Sequence, residues 1–147
     1  MYCKDFFPRP SQPLSWRGAG GEREIRMIPQ TVAVLGASAT PGRYSLLAVE
    51  QLLAHGHRVL PVNPALETVA GLPVVKSLAD LPPVDTLTLY VGAARLKAMA
   101  DAIVQLRPGR VIFNPGTEST ELQVALDRAG IPWIEACTLV MLSSGQF

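Results

Sequence analysis

Two cysteines, Cys3 and Cys137, and two histidines, His55 and His57, are all that this 147-residue chain contains of either type. Two cysteines cannot build a disulfide framework or a cysteine-rich zinc cluster, and their scarcity fits a reducing compartment. The histidines flank one glycine and are too few and too close together to make a metal site alone. No apolar run approaches the roughly 20 residues that cross a bilayer. The start of the chain has no apolar stretch of the secretory type, and Asp5, Glu22 and Glu24 argue against an organelle-targeting peptide. A formal net charge of +1, with no basic stripe interleaved with aromatics, removes the electrostatic case for nucleic acid. The expected setting is the cytoplasm, with neither membrane nor nucleic acid as partner. What the chain does have is apolar material: 48% hydrophobic against 17% charged residues, enough for the core of one domain.

Residues 1–26 read differently from the rest. Pro8, Pro10 and Pro13, then Gly18, Gly20 and Gly21, break any periodic pattern, and such a segment cannot bury enough surface to offset its ordering entropy. It is expected to be a disordered or loosely docked extension, with Met27 as the native start and residues 27–147 as the folded domain. From Thr31 onward two kinds of segment alternate. Thr31–Leu35, Arg58–Val62, Pro73–Val75, Thr86–Val91, Arg110–Phe113 and Ile131–Glu135 read as strands. Tyr44–Ala54, Ala93–Leu106, a segment from Thr117 or Ser119 to Ala129, and a short piece near Leu139–Ser143 read as helices. Ser77 caps a helical turn through Asp80. His55-Gly56 and Gly130 supply helix stops. This alternation predicts a Rossmann-like, doubly wound α/β fold: a mainly parallel sheet of five to six strands with helices on both faces.

In an open parallel sheet, ligands bind beyond the carboxyl ends of the strands. The loops there are built of small and turn-forming residues: G-A-S-A-T-P-G-R-Y at 36–44, V-N-P at 62–64, V-G-A-A at 91–94, N-P-G-T-E at 114–118 and A-C-T at 136–138. The first is the strongest. Gly36 permits a tight exit from the strand, and Ala37 and Ser38 let the backbone approach a ligand closely. N–H groups there and at the start of the next helix suit bound phosphate, with the Ser38 hydroxyl and the Arg43 guanidinium adding donors. The dinucleotide fingerprint G-x-G-x-x-G is absent, and so is a Walker A G-K-[ST]. Asn63-Pro64 stands where an acidic residue would grip an adenosine ribose. Both departures count against an NAD-dependent dehydrogenase.

The G-A-S-x-x-P-G-R loop, the V-N-P after the second strand and the N-P-G-T-E after the fifth resemble the small stand-alone CoA-binding domain proteins. Their fold is similar to the N-terminal CoA-binding domain of the succinyl-CoA synthetase alpha subunit and of acyl-CoA synthetases. The resemblance spans Thr31 to Phe147 and includes the closing E-A-C-T-L-V-M-L-S-S-G-Q-F. It implies a CoA or acyl-CoA site in which Gly36, Ala37, Ser38, Pro41, Gly42, Arg43 and Tyr44 form the phosphate and nucleotide loop. Val62, Asn63 and Pro64 would flank adenine and ribose, and Asn114, Pro115 and Gly116 would lie along the ligand's path past the fifth strand. Tyr90-Val91-Gly92 departs from the family's usual apolar-Pro at the end of the fourth strand, where the pantetheine path is placed through Tyr90. The resemblance supplies no catalysis, because the synthetases use a phosphorylated histidine in a further domain.

Other residues have simpler readings. A lone cysteine after an apolar strand is most often core; the sharper reading sets Cys137 in the cleft, open to a mixed disulfide with the CoA thiol. His55 suits a helix C-terminal dipole, Glu118 and Glu121 suit a helix start, and Phe113 and Trp133 suit the core. The expected function is therefore a CoA or acyl-CoA binding protein without catalysis of its own. The alternatives are a CoA-binding subunit of an acyl-CoA synthetase-type enzyme completed by a partner chain, and an NAD(H)-sensing regulator. A homodimer or a partner enzyme subunit is the expected protein partner.

Overall fold

The computed structural model describes residues 28–147. The expectations for residues 1–26 and for Met27 lie outside that range. Five strands form one parallel sheet: β1 (Thr31–Leu35), β2 (Arg58–Val62), β5 (Thr86–Leu89), β6 (Arg110–Phe113) and β7 (Trp133–Glu135), in the order β2-β1-β5-β6-β7. Four helices connect or follow them: α1 (Tyr44–Ala54), α2 (Ala93–Leu106), α3 (Thr120–Ala129) and α4 (Thr138–Ser143).

Alternate residues of the same strands face opposite cores, which is why the strands read as unbroken apolar runs. Ala33, Leu35, Leu87, Leu89, Val111 and Phe113 pack with Leu96 and Ile103 of α2 and Leu122 and Leu126 of α3. Val32, Val34 and Ile112 pack with Val49 and Leu52 of α1 and Met141 and Leu142 of α4. The sheet is doubly wound, as the alternation predicts. Trp133 edges onto Phe113 with ring centroids 5.6 Å apart, and its indole N–H reaches Asp127 at 2.9 Å.

The helix ends follow their local chemistry. Ser119 caps α3 by accepting the Leu122 N–H at 3.2 Å, which settles the choice between Thr117 and Ser119. The ring of His55 bonds the Gln51 carbonyl at 2.8 Å, adding to the His55 backbone N–H that the same carbonyl accepts at 3.0 Å at the end of α1.

Three strand expectations need correction. Pro73–Val75 adds no strand to the main sheet. Instead β3 (Thr68–Val69) and β4 (Leu72–Pro73) form a separate antiparallel pair, and Val75 makes an isolated bridge to Val62. Pro73 lacks an N–H and cannot support a continuous ladder. The strand predicted over Thr86–Val91 ends at Leu89, where the chain turns into the cleft. The strand predicted from Ile131 begins at Trp133, because Pro132 has no donor, although its carbonyl still accepts the Val111 N–H at 3.0 Å. Ser77 begins the 3-10 turn Leu78–Asp80 with no side-chain cap to the backbone; its hydroxyl instead reaches Asp80 at 3.3 Å.

At the amino ends of the strands, His57 is buried against the Phe147 ring, with centroids 5.1 Å apart. Its Nδ1 accepts the Gln30 backbone N–H at 3.0 Å, so a proton on that nitrogen would oppose a donor. Burial lowers its pKa from the ordinary value of 6.5, and the charges of His55 and Arg110 push the same way. With the folded value below the unfolded one, the unfolded chain binds more protons between the two. Stability is therefore complete above about pH 6.5 and falls as pH drops toward the folded value, by at most about 1.4 kcal/mol per unit. Denaturant titrations between pH 7.5 and 5 should show a steeper decline for the parent than for His57→Gln; parallel slopes would count against this account.

Candidate functional site

In a sheet of this order, the chain connections diverge between β1 and β5, leaving a crevice beyond their carboxyl ends. A cleft of about 360 Å³ lies there. The loop after β1 contributes Gly36, Ala37, Ser38, Ala39, Thr40 and Arg43; the loop after β2 contributes Asn63, Pro64, Ala65 and Leu66; β5's exit and α2 contribute Tyr90, Val91, Arg95 and Met99. A hollow of comparable size, about 340 Å³, lies between Leu78, Leu81, Pro83 and the last turn of α2. It is at the amino end of β5, and among the described residues Gln105 is its one polar side chain and no charged residue lines it, so it has little with which to fix an anionic ligand.

The floor of the cleft is set by Gly36. Its φ of +89° suits glycine, and a Cβ built there would lie 2.7 Å from the Tyr90 carbonyl oxygen and 2.8 Å from a Val91 methyl. The N–H groups of Gly36 and Ala37 both donate to the Val62 carbonyl, at 3.1 and 3.2 Å. This corrects the expectation that they face a phosphate: they hold the β1 and β2 exits together. The Ser38 hydroxyl accepts the Thr40 N–H at 3.0 Å, shaping the loop and keeping its own proton to donate. The N–H groups of Ser38, Ala39 and Gly42 carry no partner among the described residues, and of these Ser38 and Ala39 line the cleft.

Asn63 lines the cleft, but its amide is engaged in the walls. It donates to the Ala37 carbonyl at 2.9 Å and accepts from the N–H groups of Ala65 and Leu66 at 2.7 and 3.2 Å. Asparagine suits this place because a carboxylate could not donate to Ala37. Asn63 thus lines the cleft with a side chain that locks two loops.

Of the other expected site residues, Arg43, Val62, Pro64 and Tyr90 line the cleft. Pro41, Gly42 and Tyr44 belong to the same loop without lining it, and Tyr44 is 71% exposed at the start of α1. Asn114, Pro115 and Gly116 lie apart from the cleft at the carboxyl end of β6. Asn114 is buried and donates to Thr88 Oγ1 (2.7 Å) and the Leu89 carbonyl (2.9 Å), while its Oδ1 accepts the Thr138 N–H (2.9 Å). The Gly116 N–H meets the Glu118 carboxylate at 3.1 Å. Cys137 is a half-buried free thiol at the N-cap of α4 and does not line the cleft.

The residue that sequence reasoning missed is Arg95, with Met99 one turn later. A signal was present. Helix N-termini favour acids and disfavour cations by some tenths of a kcal/mol. Accordingly α3 has Glu121 in its first turn and Arg128 in its last. By contrast α1 begins on Arg43 and α2 carries Arg95 in its first turn, and neither has an acid there. Neither guanidinium is paired with a carboxylate among the described residues. Two cations placed against helix dipoles and lining one cleft, with no carboxylate partner among the described residues, have the chemistry to receive an anion.

Residues 30–143 match the profile of the CoA binding domain family. The chain belongs to that family. Among solved structures, the crystal structure of an uncharacterized protein is 40% identical, superposes with a TM-score of 0.78, and covers 82% of this chain and 100% of that one. The uncharacterized protein YneT of Bacillus subtilis (strain 168) is 26% identical over 84 residues, 56% of this chain and 62% of YneT. The acetate–CoA ligase (ADP-forming) of Methanocaldococcus jannaschii is 30% identical over 64 residues, 42% of this chain but 9% of the ligase. Membership in the CoA binding domain family accords with a cleft whose charged side chains are both cationic. No helix among the described residues is long and apolar enough to cross a membrane.

Proposed function

We propose that this domain binds CoA or an acyl-CoA in the cleft at the β1–β5 crevice and performs no chemistry on it alone. The observation that carries the reading is the pair Arg43 and Arg95, set unpaired at the acid-free starts of α1 and α2 on one cleft. The free N–H groups of Ser38 and Ala39 would receive phosphate oxygens beside Arg43. Leu66, Tyr90, Val91 and Met99 offer apolar surface to the adenine or the pantetheine. Among the described residues no carboxylate, imidazole or thiol lines the cleft, which supports binding rather than catalysis. The cytoplasm, where CoA is abundant and thiols stay reduced, is the compartment this reading implies.

Calorimetric titration with CoA, NAD and ADP tests it. CoA should bind most tightly; tight NAD binding with none to CoA would overturn the reading in favour of an NAD(H) sensor. Arg43→Ala should weaken CoA roughly 10- to 100-fold, the worth of a lost charge-assisted contact. The same variant should melt no lower than the parent when free, because it removes a cation from a helix N-terminus. Unchanged affinity would move the phosphates elsewhere.

A second reading is favoured by the ligase match, in which a similar segment occupies a small part of a much larger protein. In that reading the domain presents CoA to a partner chain that completes an acyl-CoA synthetase-type enzyme. The domain would then still bind CoA alone, and CoA-dependent acyl transfer would appear only on adding the partner.

A further inference from the structure

We infer that Arg95 is the specificity-determining residue of the cleft, reading the 3′-phosphate that separates CoA from nucleotides carrying only a 5′-diphosphate. This rests on the CoA reading and goes one step further, because it divides the anion between two cations. A diphosphate presents several oxygens close together and needs converging donors. The 36–44 loop supplies them: the Arg43 guanidinium, the Ser38 hydroxyl and the unpartnered N–H groups of Ser38 and Ala39 on one short stretch. That loop needs no second arginine from another element.

Arg95 nevertheless stands on the same cleft, from α2 beyond the neighbouring strand, exposed and without a carboxylate partner among the described residues. Its neighbours in the cleft wall, Tyr90, Val91 and Met99, are apolar or aromatic and give it no internal role. Its position against the α2 dipole gives it no stabilising role either, since the first turn of that helix holds no acid to offset it. A second, separate anion on the ligand accounts for it. CoA has one in the 3′-phosphate of its ribose; NAD and ADP have none. The absence of an acidic ribose-gripping residue fits as well, because a carboxylate beside a phosphorylated ribose would repel it, and Asn63 at that place is neutral and already engaged with Ala37, Ala65 and Leu66.

The test compares CoA with 3′-dephospho-CoA by calorimetry on the parent, Arg95→Gln and Arg43→Ala, with thermal melting of each free protein to verify folding. The parent should prefer CoA roughly ten-fold or more. Arg95→Gln should lose that preference, its CoA affinity falling to that for dephospho-CoA and its dephospho-CoA affinity staying at the parent's value. Arg43→Ala should weaken both ligands by a similar factor, and Arg95→Lys should keep part of the preference. Equal loss of both ligands in Arg95→Gln would place Arg95 on the diphosphate and overturn the inference. An undiminished preference in Arg95→Gln would overturn it too, while leaving the CoA reading intact. A parent that binds neither ligand would sink the CoA reading itself, and the inference with it.

Discussion

Gly36→Ala should lower stability by about 2–5 kcal/mol and weaken CoA binding in the protein that remains folded. Two costs add. An alanine held at φ +89° is strained, and its Cβ would meet the Tyr90 carbonyl at 2.7 Å and Val91 at 2.8 Å. Neither neighbour can swing aside, because the first is backbone and the second is a buried β-branched side chain at the strand exit. Relief requires β1 and β5 to part at their carboxyl ends, which is where the cleft opens. The Gly36 and Ala37 N–H bonds to Val62 would be disturbed by the same movement. Thermal melting should fall by roughly 10 °C or more, and CoA titration below the transition should show reduced affinity. A melting temperature close to the parent's would mean that the strand exits yield easily and that Gly36 is not the constraint described.

Asn114→Ala should cost about 3–5 kcal/mol while leaving CoA affinity within roughly two-fold of the parent. Its amide orientation is dictated by chemistry: the Thr138 N–H can only donate, so Oδ1 faces it, and the Leu89 carbonyl can only accept, so Nδ2 faces that. The donation to Thr88 leaves the Thr88 proton for Thr138, 2.7 Å away. One side chain thus joins β5, β6 and the first residue of α4. Truncation leaves a buried N–H and a buried carbonyl without partners, and Asn114→Asp would set a carboxylate against that carbonyl, so it should not rescue. The family resemblance implies a ligand contact at Asn114. If that were its work, Asn114→Ala would lose affinity in proportion to the contact, and the combination of lost stability with kept affinity would fail to appear. Denaturant unfolding and calorimetry on the same preparation read both quantities.

Asn114 also shows where sequence reasoning stopped. Its place after a buried strand, in N-P-G-T-E, is the position of a ligand loop, and in sequence a clip and a contact look alike. The same holds for Asn63. Both are polar residues at strand exits, and both donate an amide N–H to a backbone carbonyl 25 or 26 residues away in sequence. Arg95 is the opposite case. It lay inside a helix whose apolar periodicity was the obvious feature, and only the absence of an acid in that first turn marked it.

What the residues alone determined was the local and periodic part: five of the strands, the four helices, the helix stop at Gly130, and the turn at Gly36. These depend on backbone preference and on burial patterns that repeat within a few residues. The placing of the ligand beyond the carboxyl ends of the strands followed as well, whereas the crevice between β1 and β5 had to await the strand order. Tertiary structure alone decided which donors are free. Whether the Ala37 N–H faces a ligand depends on the Val62 carbonyl, 25 positions further along the chain, and no local propensity reports on a partner that distant. It likewise brought Arg43 and Arg95 to one cleft, because two helix starts become neighbours only when β1 and β5 pair.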